Sequence, residues 1–262
     1  METILKKILL LTVLSLAVCK NASSAEPRRN DEKSFEIIVG SANKKFSLIK
    51  TMAANIVSIS SKEGETIEEE WNYYSKSPFQ VKIEYLKPYK RFLALNKDKS
   101  TEYLPDKKEA RITDLSKYDD DKKADFYEGA ISRVNIDGLK LGYVEKGTVN
   151  IKGVKYQGYD ALVIEGKNPN KYLIWIDINY DALLKYVVLD KDDSTIFSST
   201  GSDFKVFDKK FLLPQRIDVE IKDSNDGKPI KKELHLNNLK VNENIDDSVF
   251  ELKLPNDVKI SK

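Results

Sequence analysis

Histidine and cysteine, the residues most often used in catalytic and metal sites, are almost missing from this chain. Its 262 residues contain one cysteine, Cys19, and one histidine, His235. These two residues cannot fill the three or four ligand positions of a zinc site, and no G-x-S-x-G motif accompanies the histidine. The acidic run 119–121 lacks EF-hand spacing, and the glycines form no phosphate-binding loop. The sequence therefore predicts no metal site, no cofactor and no enzyme. A carboxylate pair assembled by folding is the one catalytic alternative.

Excess charge of one sign and long apolar runs are also missing. Lysine and arginine total 44 and aspartate and glutamate total 42, which gives a formal net charge of +2. Balanced and interspersed charge predicts no nucleic-acid partner. No apolar run reaches the roughly 20 residues that span a bilayer. With 40% hydrophobic and 33% charged residues, the chain has a globular composition, and we expect one domain over residues 35–262 and a monomer.

Residues 1–25 have the pattern of a secretory signal peptide. Lys6 and Lys7 precede an apolar run at 8–18, and small residues end the segment at 23–25. This pattern predicts export and cleavage before residue 26. An alternative is a lipobox at 16–19, in which Cys19 is acylated and anchors the chain to a membrane, although valine is an unusual residue before such a cysteine.

Helical periodicity occurs in two places. After a polar segment at 26–34, which predicts a flexible lead-in, apolar residues recur at spacings of three and four and predict a helix over 35–49. This stripe comprises Phe35, Ile38, Val39, Ala42, Phe46 and Ile49. Looser spacing between residues 113 and 133 predicts one or two short helices.

Strand-like alternation fills most of the remaining chain. The predicted strands are 52–59, 67–74, 79–86, 91–95, 143–151, 154–165, 172–178, 183–190 and 195–199. The run 172–178 (YLIWIDI) is apolar on both faces, so we expect that strand to be covered on both sides.

The stretch 203–255 predicts two antiparallel strands joined by a turn. Ile217, Val219 and Ile221 share one face of the first strand, and Leu234 and Leu236 repeat the alternation in the second. His235, between the two leucines, is expected on the solvated face.

We predict a mostly β fold with a few helices. Its core is a large, curved antiparallel sheet that forms an open, incomplete β-barrel, with helices against the concave apolar face. Periodicity leaves open whether this face is filled by side chains or lines a cavity. The candidate lining residues are Trp71, Tyr73, Val81, Ile83, Tyr85, Ile174, Ile176, Ile217, Val219 and Ile221.

Several short stretches resemble the periplasmic carriers of outer-membrane lipoproteins, the LolA-like family, and their lipoprotein-sorting relatives. The similar stretches are 78–85 (PFQVKIEY), 101–105 (TEYLP) with Lys108, Arg111 and Ile112, 213–215 (LPQ), 242–250 (NENIDDSVF) and 254–255 (LP). The resemblance implies an open barrel with helices as a lid over an apolar cavity that takes acyl chains. Lys82 occupies the position of the family's characteristic arginine, and lysine lacks the planar bidentate contacts that would hold a lid shut.

These observations favour a non-enzymatic periplasmic protein that carries or sorts a lipoprotein or lipid by binding its acyl chains. A docking protein at the inner or outer membrane would then be a further partner. The alternative is a binding module or stress-sensing protein of the envelope, anchored through Cys19.

Overall fold

The computed structural model describes residues 29–132, 148–167, 170–224 and 226–261. The predicted signal peptide, with Cys19, and the first part of the predicted strand 143–151 lie outside the described residues. None of the described helices is long and apolar enough to cross a membrane.

The described residues form two α-helices and sixteen strands. The helices are α1 (Arg29–Ser47) and α2 (Asp120–Ser132). The strands are β1 (Thr51–Lys62), β2 (Glu65–Lys76), β3 (Gln80–Lys87), β4 (Arg91–Leu95), β5 (Lys99–Leu104), β6 (Glu109–Asp114), β7 (Thr148–Tyr156), β8 (Tyr159–Lys167), β9 (Lys171–Asp177), β10 (Leu183–Leu189), β11 (Thr195–Ser202), β12 (Lys205–Phe207), β13 (Phe211–Leu213), β14 (Arg216–Lys222), β15 (Pro229–Val241) and β16 (Lys259–Ser261). Short 3₁₀ turns occupy Pro105–Lys107 and Asp247–Phe250.

Fourteen strands form one open sheet in the order β16-β6-β5-β4-β3-β2-β1-β15-β14-β11-β10-β9-β8-β7. Every pair is antiparallel except β16 with β6. β1 pairs with β15 near the middle of the sheet, which joins the strands from the two ends of the chain. The two end strands, β16 and β7, do not pair with each other, so the sheet stays open. The predicted fold class is confirmed.

Two sequence predictions about elements are wrong. α1 begins at Arg29, inside the segment 26–34 that was predicted to be a flexible lead-in, because the helical backbone continues upstream of the apolar stripe. The single strand predicted over 154–165 is the end of β7, a turn and β8. Gln157 and Gly158 both have positive φ (49° and 85°), which is the conformation of a tight hairpin turn.

One face of the sheet carries most of the buried side chains, and we call it the inner face. In β1 it presents Met52, Ala54 and Ile56, and in β2 it presents Trp71 and Tyr73. Both helices pack against this face. α2 covers the half that contains β1 to β4, and α1 covers the half that contains β7 to β10.

A third apolar cluster lies on the opposite face of the sheet. Trp175 and Ala161 point away from the inner face and pack with Leu184 and with Leu212 of the β12–β13 hairpin. β9 is therefore covered on both sides, as the run 172–178 predicts.

Gly166 tests the packing beneath α1. It pairs with Tyr172 across β8 and β9, and a Cβ atom at Gly166 would overlap the tyrosine ring. We expect Gly166→Ala to lower the free energy of unfolding by about 1–3 kcal/mol, since overpacking forces neighbouring side chains from their positions. Gly153→Ala is the matched control, because nothing lies within 4 Å of its Cβ position. Equal urea midpoints for the two variants would contradict this packing.

Candidate functional site

The floor of the candidate site is the apolar part of the inner face on β2 and β3. Trp71, Tyr73, Val81 and Ile83 are each at most 2% exposed. Tyr73 pairs with Ile83 across the two strands, so their side chains share one face. β14 adds Ile217, which is 1% exposed and belongs to the same cluster. This floor forms because period-two alternation places every second residue of three strands on one side.

The structure brings seven of the ten predicted lining residues into this one cluster. Tyr85 and Val219 pack at its edge and are partly buried. Ile221 lies further along the same face of β14 and is half-buried. Ile174 and Ile176 lie instead in the second cluster, beneath α1. In this conformation Trp71, Tyr73, Val81, Ile83 and Ile217 are packed in one core cluster, and Ile174 and Ile176 in another.

α2 covers the floor with few buried side chains. Among its described side chains only Lys123 and Ala130 are buried. Phe126 and Tyr127 pack on the floor but stay partly exposed. The Tyr127 ring meets Phe79 edge-on, with ring centroids 6.4 Å apart. Among the described side chains of α2, the cover of the floor therefore consists mainly of partly exposed aromatic rings.

A small cleft lies where the three apolar clusters meet. It has a volume of about 30 Å³ and is bounded by α1, the turn between β9 and β10, and β13. Its lining includes Phe46 from the first cluster, Leu183 from the second and Leu212 from the third. Ser41 Oγ donates a hydrogen bond to Asp181 Oδ2 at 2.9 Å. This bond connects α1 to the turn between β9 and β10. This volume suits about one water molecule, far below the roughly 300–1,000 Å³ of a small-molecule site.

Lys82 does not face the helices. It lies between Val81 and Ile83 in β3, so its side chain points to the outer face of the sheet. Its Nζ pairs with Glu84 Oε1 at 3.0 Å. Lys82 therefore takes no part in holding either described helix against the sheet.

Four polar residues lie on the inner face beside the floor, and sequence reasoning missed them. They are Ser58, Ser60, Glu69 and Lys232. Burial lowers the pKa of Lys232, and the nearby Glu69 carboxylate opposes that shift. Alternation was the available signal for Lys232, because it precedes the buried Leu234 by two positions in β15.

The described residues contain no group of three or more His, Cys, Asp and Glu side chains that could hold a metal ion. His235 lies on the outer face, as its alternation with two leucines predicts, and its Nε2 contacts Glu233 Oε1. Glu233 also accepts a hydrogen bond from Arg216 at 2.9 Å. Arg216, Glu233 and His235 therefore contact one another on a partly exposed strand face.

Comparison with known proteins identifies the fold. No family model and no curated protein matches the chain. Among solved structures, a DUF1329 family protein from Desulfovibrio piger is 17% identical, with a TM-score of 0.54 over 84% of this chain and 97% of that one. A putative outer membrane lipoprotein-sorting protein domain from Vibrio parahaemolyticus is 17% identical, with a TM-score of 0.50 over 81% and 95%. At this identity the likeness shows the fold alone, a LolA-like fold.

Proposed function

We propose that this protein is a non-enzymatic binding protein that takes acyl chains of a lipoprotein or lipid onto the inner face of the sheet and carries or sorts them across the periplasm. The proposal rests on one observation. The floor is apolar and buried, whereas the described part of the helix that covers it contributes few buried side chains. Trp71 and Ile83 are at most 2% exposed, whereas α2 contributes one buried apolar side chain among those described, Ala130.

The energetics of exchange favour this function. Burying acyl CH₂ groups contributes about 0.8 kcal/mol each and needs a dry surface rather than polar chemistry. An acyl chain that replaces α2 on the floor restores the apolar contacts that the helix gives up. The described conformation is then the closed form, since Trp71 and Ile83 of the floor are at most 2% exposed in it. The likeness to a domain with a lipoprotein-sorting name supports the same function.

The residues proposed to line the opened site are those of the floor and its edge. They are Trp71, Tyr73, Val81, Ile83, Tyr85, Ile217, Val219 and Ile221. Ile174 and Ile176 would join them only if α1 also moved, because they lie beneath that helix.

The direct test is a titration of the purified protein with cis-parinaric acid, whose fluorescence rises in an apolar site. Saturable binding, together with lipid in a mass spectrum of the extracted protein, is the expected result. A protein that takes up no probe and yields no lipid would contradict the proposal.

The alternative role, a lipid-anchored envelope module, depends on Cys19. The run Leu-Ala-Val-Cys at 16–19 is its specific support. If the protein is a mobile carrier, a clickable palmitate analogue should leave it unlabelled in cells. Label that disappears in Cys19→Ala would instead establish the anchored form.

A further inference from the structure

A group of polar side chains lies on the inner face at one end of the apolar floor. Lys232 in β15 pairs with Ser60 in β1 and with Val219 in β14. Two positions along, Ser58 pairs with Glu69 in β2. Cross-strand partners share a face, so these side chains border the floor on which Val219 and Trp71 lie. Polar groups on an otherwise apolar face need partners there or are costly to bury.

Two of these side chains, Lys232 and Ser58, and the indole N–H of the adjacent Trp71 have no hydrogen-bond or ion-pair partner in the described part of the chain. The Lys232 Nζ lies 5.9 Å from the centroid of the Trp71 ring, and Lys232 forms no ion pair with another described residue. Ser58 Oγ and Trp71 Nε1 are both buried and both lack a partner. Ser58 is fully buried and Trp71 is 2% exposed.

A second lysine on the same face, Lys62, forms ion pairs and serves as a comparison for Lys232. Lys62 Nζ lies 2.5 Å from Asp223 Oδ2 and 2.8 Å from Asp226 Oδ2. These carboxylates raise the pKa of Lys62. Glu69 is the carboxylate that faces Lys232, but it is not within ion-pair distance, and burial still lowers the pKa of Lys232. Lys62 is thus paired with two carboxylates, whereas Lys232 has no ion pair among the described residues.

The unpartnered groups are complementary to an oxyanion. A lysine ammonium and an indole N–H can only donate hydrogen bonds, and a serine hydroxyl can donate one. Hydrogen bonds to an ionised acceptor are roughly twice as strong as those between neutral groups. Apolar, half-buried residues continue the surface beside Lys232, including Ile67, Val219 and Ile221. A ligand that is complementary to both the donors and the apolar surface has an anionic group on an apolar chain.

We propose that Lys232, with Ser58 and Trp71, binds the carboxylate or phosphate oxygens of an amphiphile whose acyl chain lies on the inner-face floor. The inference rests on the proposed function and adds to it the charge of the ligand's polar end. An uncharged acyl ester would bind the floor, but its carbonyl oxygen is a weaker acceptor than an ionised group and would leave the charge of Lys232 without a counter-ion. The protein therefore discriminates between anionic and neutral amphiphiles of the same chain.

The test compares cis-parinaric acid with its methyl ester, using the full chain purified as wild type and as Lys232→Met. We expect the wild type to bind the acid at least tenfold more tightly than the ester, and Lys232→Met to bind both with the affinity of the ester. Competition by oleoyl lysophosphatidic acid and by oleate then shows whether phosphate or carboxylate is preferred. Lys185→Met is the matched control, because it also removes a lysine stacked on a tryptophan, Trp175, but on the outer face.

The outcomes distinguish failure of the acyl function, which would remove the anion site as well, from failure of the anion site alone. If the wild type binds neither probe, the proposed acyl function fails. If it binds acid and ester equally, or if Lys232→Met weakens both to the same extent, the acyl function stands and the anion site is overturned. Thermal unfolding accompanies the titration, and Lys232→Met should be at least as stable as wild type, since it removes a buried charge without a partner.

Discussion

Tethering α2 to the edge of the floor should abolish acyl-probe binding. With Phe79→Cys and Tyr127→Cys in a Cys19→Ser background, a reducible bismaleimide can join two positions whose native rings lie 6.4 Å apart. The apparent affinity for an acyl ligand scales with the fraction of molecules whose floor is uncovered. A tether that lowers this fraction a hundredfold weakens binding by roughly the same factor. Fluorescence titration with cis-parinaric acid before and after linking measures the effect.

Cleavage of the linker shows whether the loss of binding is caused by the tether. Cleaving the linker with a reductant should restore the original affinity, while the two single-cysteine variants treated with the same reagent should bind as the unlinked protein does. Unchanged binding in the tethered protein would mean that acyl chains do not reach the floor by displacement of α2.

Substitutions at two positions on the same face of β14 should affect stability and ligand binding differently. Ile217→Asn places an amide where the native side chain is 1% exposed. We expect it to lower the free energy of unfolding by about 3–5 kcal/mol, from lost apolar burial and an unpaired polar group. Ile221→Asn lies on the same face at its half-buried end. It should cost about 1 kcal/mol in stability and weaken binding of the parinaric methyl ester at least tenfold.

Urea unfolding and ester titration measure the two effects. Val206→Asn is the control, because Val206 is an apolar strand residue with 46% exposure, and it should change neither quantity by much. If Ile221→Asn keeps the wild-type affinity, Ile221 belongs to core or surface but not to the binding site.

The parts of the fold that sequence predicts are those in which each strand has one buried and one solvated face. β2, β3 and β14 alternate clearly, and α1 carries an apolar stripe. The β12–β13 hairpin is different. Phe211, Leu212 and Leu213 are consecutive and all buried, because Leu212 packs in the third cluster while its neighbours pack in the first. Such a segment has no alternation to read.

The candidate site was only partly predictable, for a related reason. Apolar periodicity identifies inner-face residues but not which helix covers them, so it does not distinguish Ile174 and Ile176, which lie in the second cluster beneath α1, from the floor residues of the first cluster. Charged residues on strands are ordinarily assigned to solvent. Alternation along β15 does place Lys232 on the face of Leu234. Its contacts with Ser60 and Val219 depend on register, and sequence alone does not give register between distant strands.

The central claim, that an acyl chain replaces α2 on the inner face, is tested most directly by a distance. Nitroxide labels can be attached to cysteines that replace Lys90 and Lys122 in a Cys19→Ser background. Lys90 lies in the exposed turn after β3, and Lys122 lies on the exposed side of α2. Double electron–electron resonance should show a single distance without ligand and a longer one when the protein is saturated with an acyl ligand. An unchanged distance in a protein shown to be ligand-bound would contradict the claim.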